Sequence, residues 1–151
     1  IQSKRQRQLM CEVALEYTAE KIKFHQVIQE DIDTLKAIIK LDDKFIGAKH
    51  LLGIIASKME EYETAVQLFD NCIELSNEGY HREIIGRTQF HSDGSNPIEY
   101  HLLKAKVLEK ANNLEMALQE YLKIHEMDRE NYGISERILR IQNKIAAALR
   151  C

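Results

Sequence analysis

Small and aromatic residues recur along this chain at two fixed intervals, and that recurrence constrains the fold more than any other feature. Gly53, Ala65 and Phe69 are followed 52 positions later by Ala105, Ala117 and Tyr121. Ala19 and Leu35 precede Gly53 and Phe69 by 34 positions. A 34-residue period fits one helix-turn-helix unit that cannot bury its apolar face alone and must stack on its neighbours. The longer interval exceeds the shorter by 18 residues, about the length of a Gly- and Ser-containing break between 78 and 97. That break is expected to be an insertion between two complete units. Its Tyr80, Ile84, Ile85 and Phe90 are too apolar for a pure linker, so part of it is expected to pack on the repeats.

Apolar spacing supports helices nearly throughout, and no stretch keeps the period-two alternation of a half-buried strand. Seven helices are expected: Ser3 to Phe24, Ile28 to Leu41, Phe45 to Lys58, Glu61 to Ser76, Pro97 to Ala111, Leu114 to Met127 and Tyr132 to Leu149. The first carries a stripe of Val13, Tyr17, Thr18 and Ile22, the second one of Ile28, Ile32, Leu35, Ile38 and Ile39. The fifth has the sharpest start signal. Asn96 suits the cap, Pro97 the first helical position and Glu99 the acid of a capping box. Only six Gly and one Pro in 151 residues agree with an all-α chain.

In the middle unit, Leu52-Gly53 in the first helix and Tyr62, Ala65 and Phe69 in the second resemble the tetratricopeptide repeat (TPR) family. The third unit keeps Ala105, Leu114, Ala117 and Tyr121, while the first has Asp31 where the small residue of the second helix belongs. Asp43, Asn77 and Arg129 stand where the family often ends its repeat with Pro. The resemblance covers residues 12 to 149 and implies a right-handed solenoid of hairpins forming one domain, 1–151. Its repeats fall at about 12–45, 46–79 and 98–131, with the insertion at 78–97 and a capping helix at 132–149. Leu139, where a further repeat would want a small residue, favours a cap, with a following hairpin as the alternative.

The residues offer no catalytic constellation, and neither an enzyme nor a cofactor is expected. The six histidines show no HxxxH or HExxH spacing, and His81 and His91 with Asp93 form only a loose cluster. Glu60, Glu61, Asp42 and Asp43 fall at turns, where helix capping and solubility explain them. Cys11, Cys72 and Cys151 are far apart and odd in number, which suits buried thiols in a reducing compartment. No apolar run approaches a membrane span and no signal peptide is visible. An intracellular location, cytoplasmic or nuclear, is expected. The chain also opens without Met and reads as a segment of a larger protein. Its net charge of −3 argues against a dedicated nucleic-acid binder. Basic residues nevertheless cluster at both ends, as Lys4, Arg5 and Arg7 and as Arg137, Arg140, Lys144 and Arg150.

What the resemblance implies is a binding module, a protein-protein interaction scaffold in which the first helix of each hairpin lines a concave groove for a peptide or partner helix. Carried over, the groove residues are Glu16 and Glu20, then His50, Ile54 and Ser57, then Lys106 and Lys110, then Arg137 and Arg140. Family members that hold the acidic C-terminus of heat-shock chaperones use Lys and Asn in the first unit. Glu16 and Glu20 occupy those positions here, so that carboxylate clamp is absent and the groove grades from acidic to basic. Two alternatives stay open: a nucleic-acid-binding solenoid, resting on the basic ends, and a metal or enzyme site built on the insertion.

Overall fold

The computed structural model describes residues 4–23, 29–78 and 97–150. Within them lie seven helices and no strand: α1 (Lys4–Lys23), α2 (Gln29–Leu41), α3 (Ile46–Lys58), α4 (Tyr62–Asn77), α5 (Ile98–Lys110), α6 (Leu114–Met127) and α7 (Tyr132–Leu149). These bounds lie within one residue of those expected from apolar spacing. The chain is all-α across the described residues. Residues 79–96 of the insertion expected at 78–97, with the His81–His91 pair and Asn96, lie outside them, as does Cys151.

Four turns set the architecture, and they are two designs, each used twice. Between α3 and α4 the Glu61 N–H donates to the Ala56 carbonyl at 2.9 Å and the Glu60 N–H to Ser57 at 3.1 Å. This Schellman arrangement satisfies the carbonyls left without partners at a helix end, and it needs one residue in the left-handed region. Glu60 supplies it, with φ 62°. Fifty-two positions on, between α5 and α6, Asn113 donates to Leu108 at 2.9 Å and Asn112 to Glu109 at 3.0 Å, with Asn112 at φ 61°. The turns that join successive hairpins also match. Asp42 donates to Ile38 and Phe45 to Asp42, as Asp128 does to Ile124 and Asn131 to Asp128. The recurrence seen in residue types is thus a recurrence of backbone geometry.

Glu60 is a poor residue for its conformation, because a Cβ in the left-handed region costs roughly 1–2 kcal/mol while Asn tolerates it better. Glu60→Gly should therefore raise the urea midpoint with unchanged m. The net gain is about 0.5–1 kcal/mol after the greater freedom of Gly in the unfolded chain is subtracted. Asn112→Gly should move it much less. A lower midpoint for Glu60→Gly would place that residue outside the left-handed region.

Packing follows the same register. Leu35, Phe69 and Tyr121 are buried at one position of α2, α4 and α6, and Ile38, Cys72 and Ile124 at another. Asp31 is buried at the place of Ala65 and Ala117, as the alignment requires. In α3, α5 and α7 the matching buried sets are Ala48, Tyr100 and Ile134, and Ile55, Val107 and Ile141. The helices pack on their chain neighbours, α2 on α3, α3 on α4, α4 on α5, α5 on α6 and α6 on α7, with α1 against both α2 and α3. The core accordingly runs as successive clusters. One joins α1, α2 and α3, two join α3, α4 and α5, and one joins α5, α6 and α7.

One local expectation is corrected. On α1 the buried face is Cys11, Leu15 and Thr18, while Val13 and Tyr17 are more than 60% exposed, at 61% and 62%. Residues 11, 15 and 18 follow four- and three-residue steps and residues 13 and 17 a four-residue step, so the sequence holds two stripes and packing uses the first. At the start of α5, Pro97 stands just before the helix with helical dihedrals, and the His101 N–H donates to its carbonyl at 3.0 Å. Glu99 faces His50 across α3 and α5, 3.9 Å from Nε2, which places its carboxylate toward the neighbouring hairpin. Cys11 and Cys72 are buried thiols that form no disulfide. No helix among the described residues is long and apolar enough to cross a membrane.

Candidate partner-binding site

α5 presents Lys106, Glu109 and Lys110 at three- and four-residue steps, and α7 presents Arg137, Arg140 and Lys144 in the same way. Side chains so spaced lie on one stripe of each helix, and ion pairs connect the two stripes. Arg140 donates from Nη2 to both Glu109 oxygens at 2.9 Å, and Lys144 donates to Oε2 at 3.2 Å. The Tyr121 hydroxyl of α6 donates to Glu109 Oε1 at 3.1 Å, fixing the carboxylate from below. Burial pushes the Glu109 carboxyl upward, but the hydrogen bonds from Lys144, Tyr121 and Arg140 prevail and hold it below its ordinary value.

Lys106 sits in the opposite environment. Its ammonium is held below the ordinary lysine value by partial burial, then by the like charges of Arg137 and Lys110. Among the described residues no carboxylate forms an ion pair with Lys106, Lys110 or Arg137. Arg137 instead lies near the Tyr121 hydroxyl, where its charge opposes the rise that burial and Glu109 give that group. Two cations therefore clasp one carboxylate, and three more, Lys106, Lys110 and Arg137, gather beside them, on a chain whose total charge is −3.

The structure thus brings together Lys106, Lys110, Arg137 and Arg140 of the residues expected to line a groove. Others lie apart. His50 is 2% exposed and stacks edge-on against Tyr100 with ring centroids 5.4 Å apart, so its ring offers no surface to a partner. Ile54 packs partly against the core clusters of α3. Ser57 is half-buried in the last turn of α3, and Glu16 half-buried on α1. The side chain of Glu20 lies outside the described residues. Glu109, Lys144 and Tyr121 were not expected in the site. The signal for Glu109 was available, since it occupies on α5 the register position of Ser57 on α3.

A second charged cluster, also absent from the sequence reading, ties α4, α5 and α6 together. Glu120 is 4% exposed, and its carboxylate accepts hydrogen bonds from His101 Nδ1 at 2.8 Å and from Lys123 at 3.1 Å. Lys104 pairs with Glu120 at 3.1 Å and with Asp70 at 2.7 Å. Burial alone would raise the Glu120 pKa. Hydrogen bonds from His101, Lys104 and Lys123, with the Lys104 charge, bring it down to about 2. Burial lowers the Lys104 pKa, but Asp70 and Glu120 outweigh it and leave the ammonium above its ordinary value. Every charge here is answered within the chain, so this cluster is a joint between hairpins. Among the described residues no group of His, Cys, Asp and Glu is arranged to hold a metal ion.

Comparison of the chain with protein-family models and with the curated proteins returns no match.

Proposed function

We propose that the chain is a right-handed, TPR-like solenoid of hairpins acting as a non-catalytic protein-protein interaction scaffold within a larger intracellular protein. A peptide or partner helix would lie along the face made by the helices that open each hairpin. The paired turns with identical hydrogen bonding support the repeat, and the shared register of buried positions supports the stacking. The observation that carries the function is the convergence of Lys106, Lys110, Arg137, Arg140 and Lys144 on the facing stripes of α5 and α7. Such a local excess of positive charge attracts an acidic segment and orients it before contact.

Lys106→Glu together with Arg140→Glu tests the reading. Proteins captured from a lysate by the wild-type chain should bind the double variant at least tenfold more weakly, about 1.4 kcal/mol, with helicity by circular dichroism unchanged. Undiminished capture of every partner would move the binding site off this face.

A further inference from the structure

The two hairpin-opening helices of the basic face carry cation pairs in the same register. Arg140 and Lys144 of α7 stand 34 positions after Lys106 and Lys110 of α5. Glu109 on α5 clasps the first pair, with its carboxylate 2.9 Å from Arg140 and 3.2 Å from Lys144. The residue of α3 that corresponds to Glu109 is Ser57, 52 positions earlier, and it brings no charge. The same register therefore occurs twice, once with a carboxylate supplied by the preceding hairpin and once with a neutral hydroxyl. Arg137 adds a third cation beside Lys106 and Lys110.

We infer that the Lys106–Lys110 pair, with Arg137, receives a carboxylate from an acidic peptide segment, seated beside Ser57 as Glu109 is seated against Arg140 and Lys144. This rests on the scaffold reading above and specifies its ligand. The molecule displays the bound arrangement in its own structure, because an Arg/Lys pair at four-residue spacing already holds a carboxylate between its two heads. Charge-assisted hydrogen bonds of this kind are short and directional, and two cations on one helix face hold one acid better than scattered charges. A Glu- or Asp-rich segment in extended or helical form can present such an acid, and the net negative charge of the chain keeps the attraction local to this face.

Ser57→Glu provides the test, because it supplies from within the carboxylate that the ligand would bring. Fluorescein-labelled hexaglutamate, titrated at low ionic strength and followed by anisotropy, should bind wild type and Ser57→Gln alike, and Ser57→Glu at least tenfold more weakly. The melting temperature of Ser57→Glu should be no lower than that of wild type, which separates blocking from unfolding. Lys106→Gln with Lys110→Gln should lose binding to the same extent without adding an acid. Equal binding by Ser57→Glu and Ser57→Gln, or absence of hexaglutamate binding to wild type, would overturn the inference. So would tighter binding of a single-stranded oligonucleotide than of hexaglutamate, since that would make a nucleic-acid backbone the ligand. If partners captured by the wild-type chain still depend on Lys106 and Arg140 while hexaglutamate fails, the scaffold reading stands and only this ligand class falls.

Discussion

Gly53→Val should lower the melting temperature by about 4–8 °C, from an overpacking cost of about 2 kcal/mol in a domain of this size. A Cβ built on Gly53 would lie 2.7 Å from Phe69 Cε1 and 2.9 Å from Cζ, distances at which something must shift. The Phe69 ring is 1% exposed and closed in by Ala56, Ala65 and Val107, so it has little room to yield. Gly53→Ala sets the same clash against a gain of about 1 kcal/mol in helix propensity and should cost less than Val. A double-mutant cycle isolates the contact. Phe69→Leu destabilises wild type by removing buried ring surface, but in the Gly53→Val background it also relieves the collision, so the two losses should fall short of adding. Strict additivity would show that Gly53 and Phe69 do not meet. Ala65→Leu, at a position 0% exposed, should destabilise for the same reason, whereas Glu74→Leu on the exposed side of α4 should stay near neutral.

Glu120→Gln should be the most damaging single change at a charged position, costing about 3–5 kcal/mol at neutral pH. It leaves Lys104 largely buried with only Asp70 to answer it. The effect has a defined pH dependence. Because the folded state depresses the Glu120 pKa from 4.5 to about 2, the ionised carboxylate stabilises the fold above pH 4.5. That contribution, of order 3 kcal/mol at about 1.4 kcal/mol per unit, is lost as the pH falls from 4.5 through about 2. The stability gap between wild type and Glu120→Gln, from urea unfolding at a series of pH values, should therefore be widest near neutrality and shrink across that window. A gap constant from pH 7 to pH 2.5 would mean that Glu120 titrates normally in the fold. Lys104 works in the other direction. Its raised pKa contributes stability that is complete below the ordinary lysine value and disappears as the pH climbs through the folded one.

Much of the architecture was legible in the residues because helices that pack at fixed crossings need small residues and large rings at fixed spacings. Gly53 opposite Phe69 is the physical content of one such pair. The 52-residue alignment of Ala65 with Ala117, and of Phe69 with Tyr121, proved to be an alignment of hydrogen-bonded turns as well. The site was legible in part. Helix spacing puts Lys106 beside Lys110 on α5 and Arg137 beside Arg140 on α7, since three- and four-residue steps return to the same side, but the grouping of the two helices along one groove came from the resemblance to the TPR family.

Sequence by itself determined which segments are helices, where they stop, and which of their positions repeat, because those properties are set by local spacing and turn chemistry within a few residues. Only tertiary structure decided which of two apolar stripes on α1 is covered, leaving Val13 and Tyr17 exposed while Cys11 and Leu15 are buried. It also decided that His50 lies under Tyr100, that Glu109 clasps Arg140 across 31 residues, and that Glu120 gathers His101, Lys104 and Lys123. The physical reason is the same in each case. Burial and charge pairing depend on which surface a neighbouring helix brings within a few ångströms, and no local pattern carries that information.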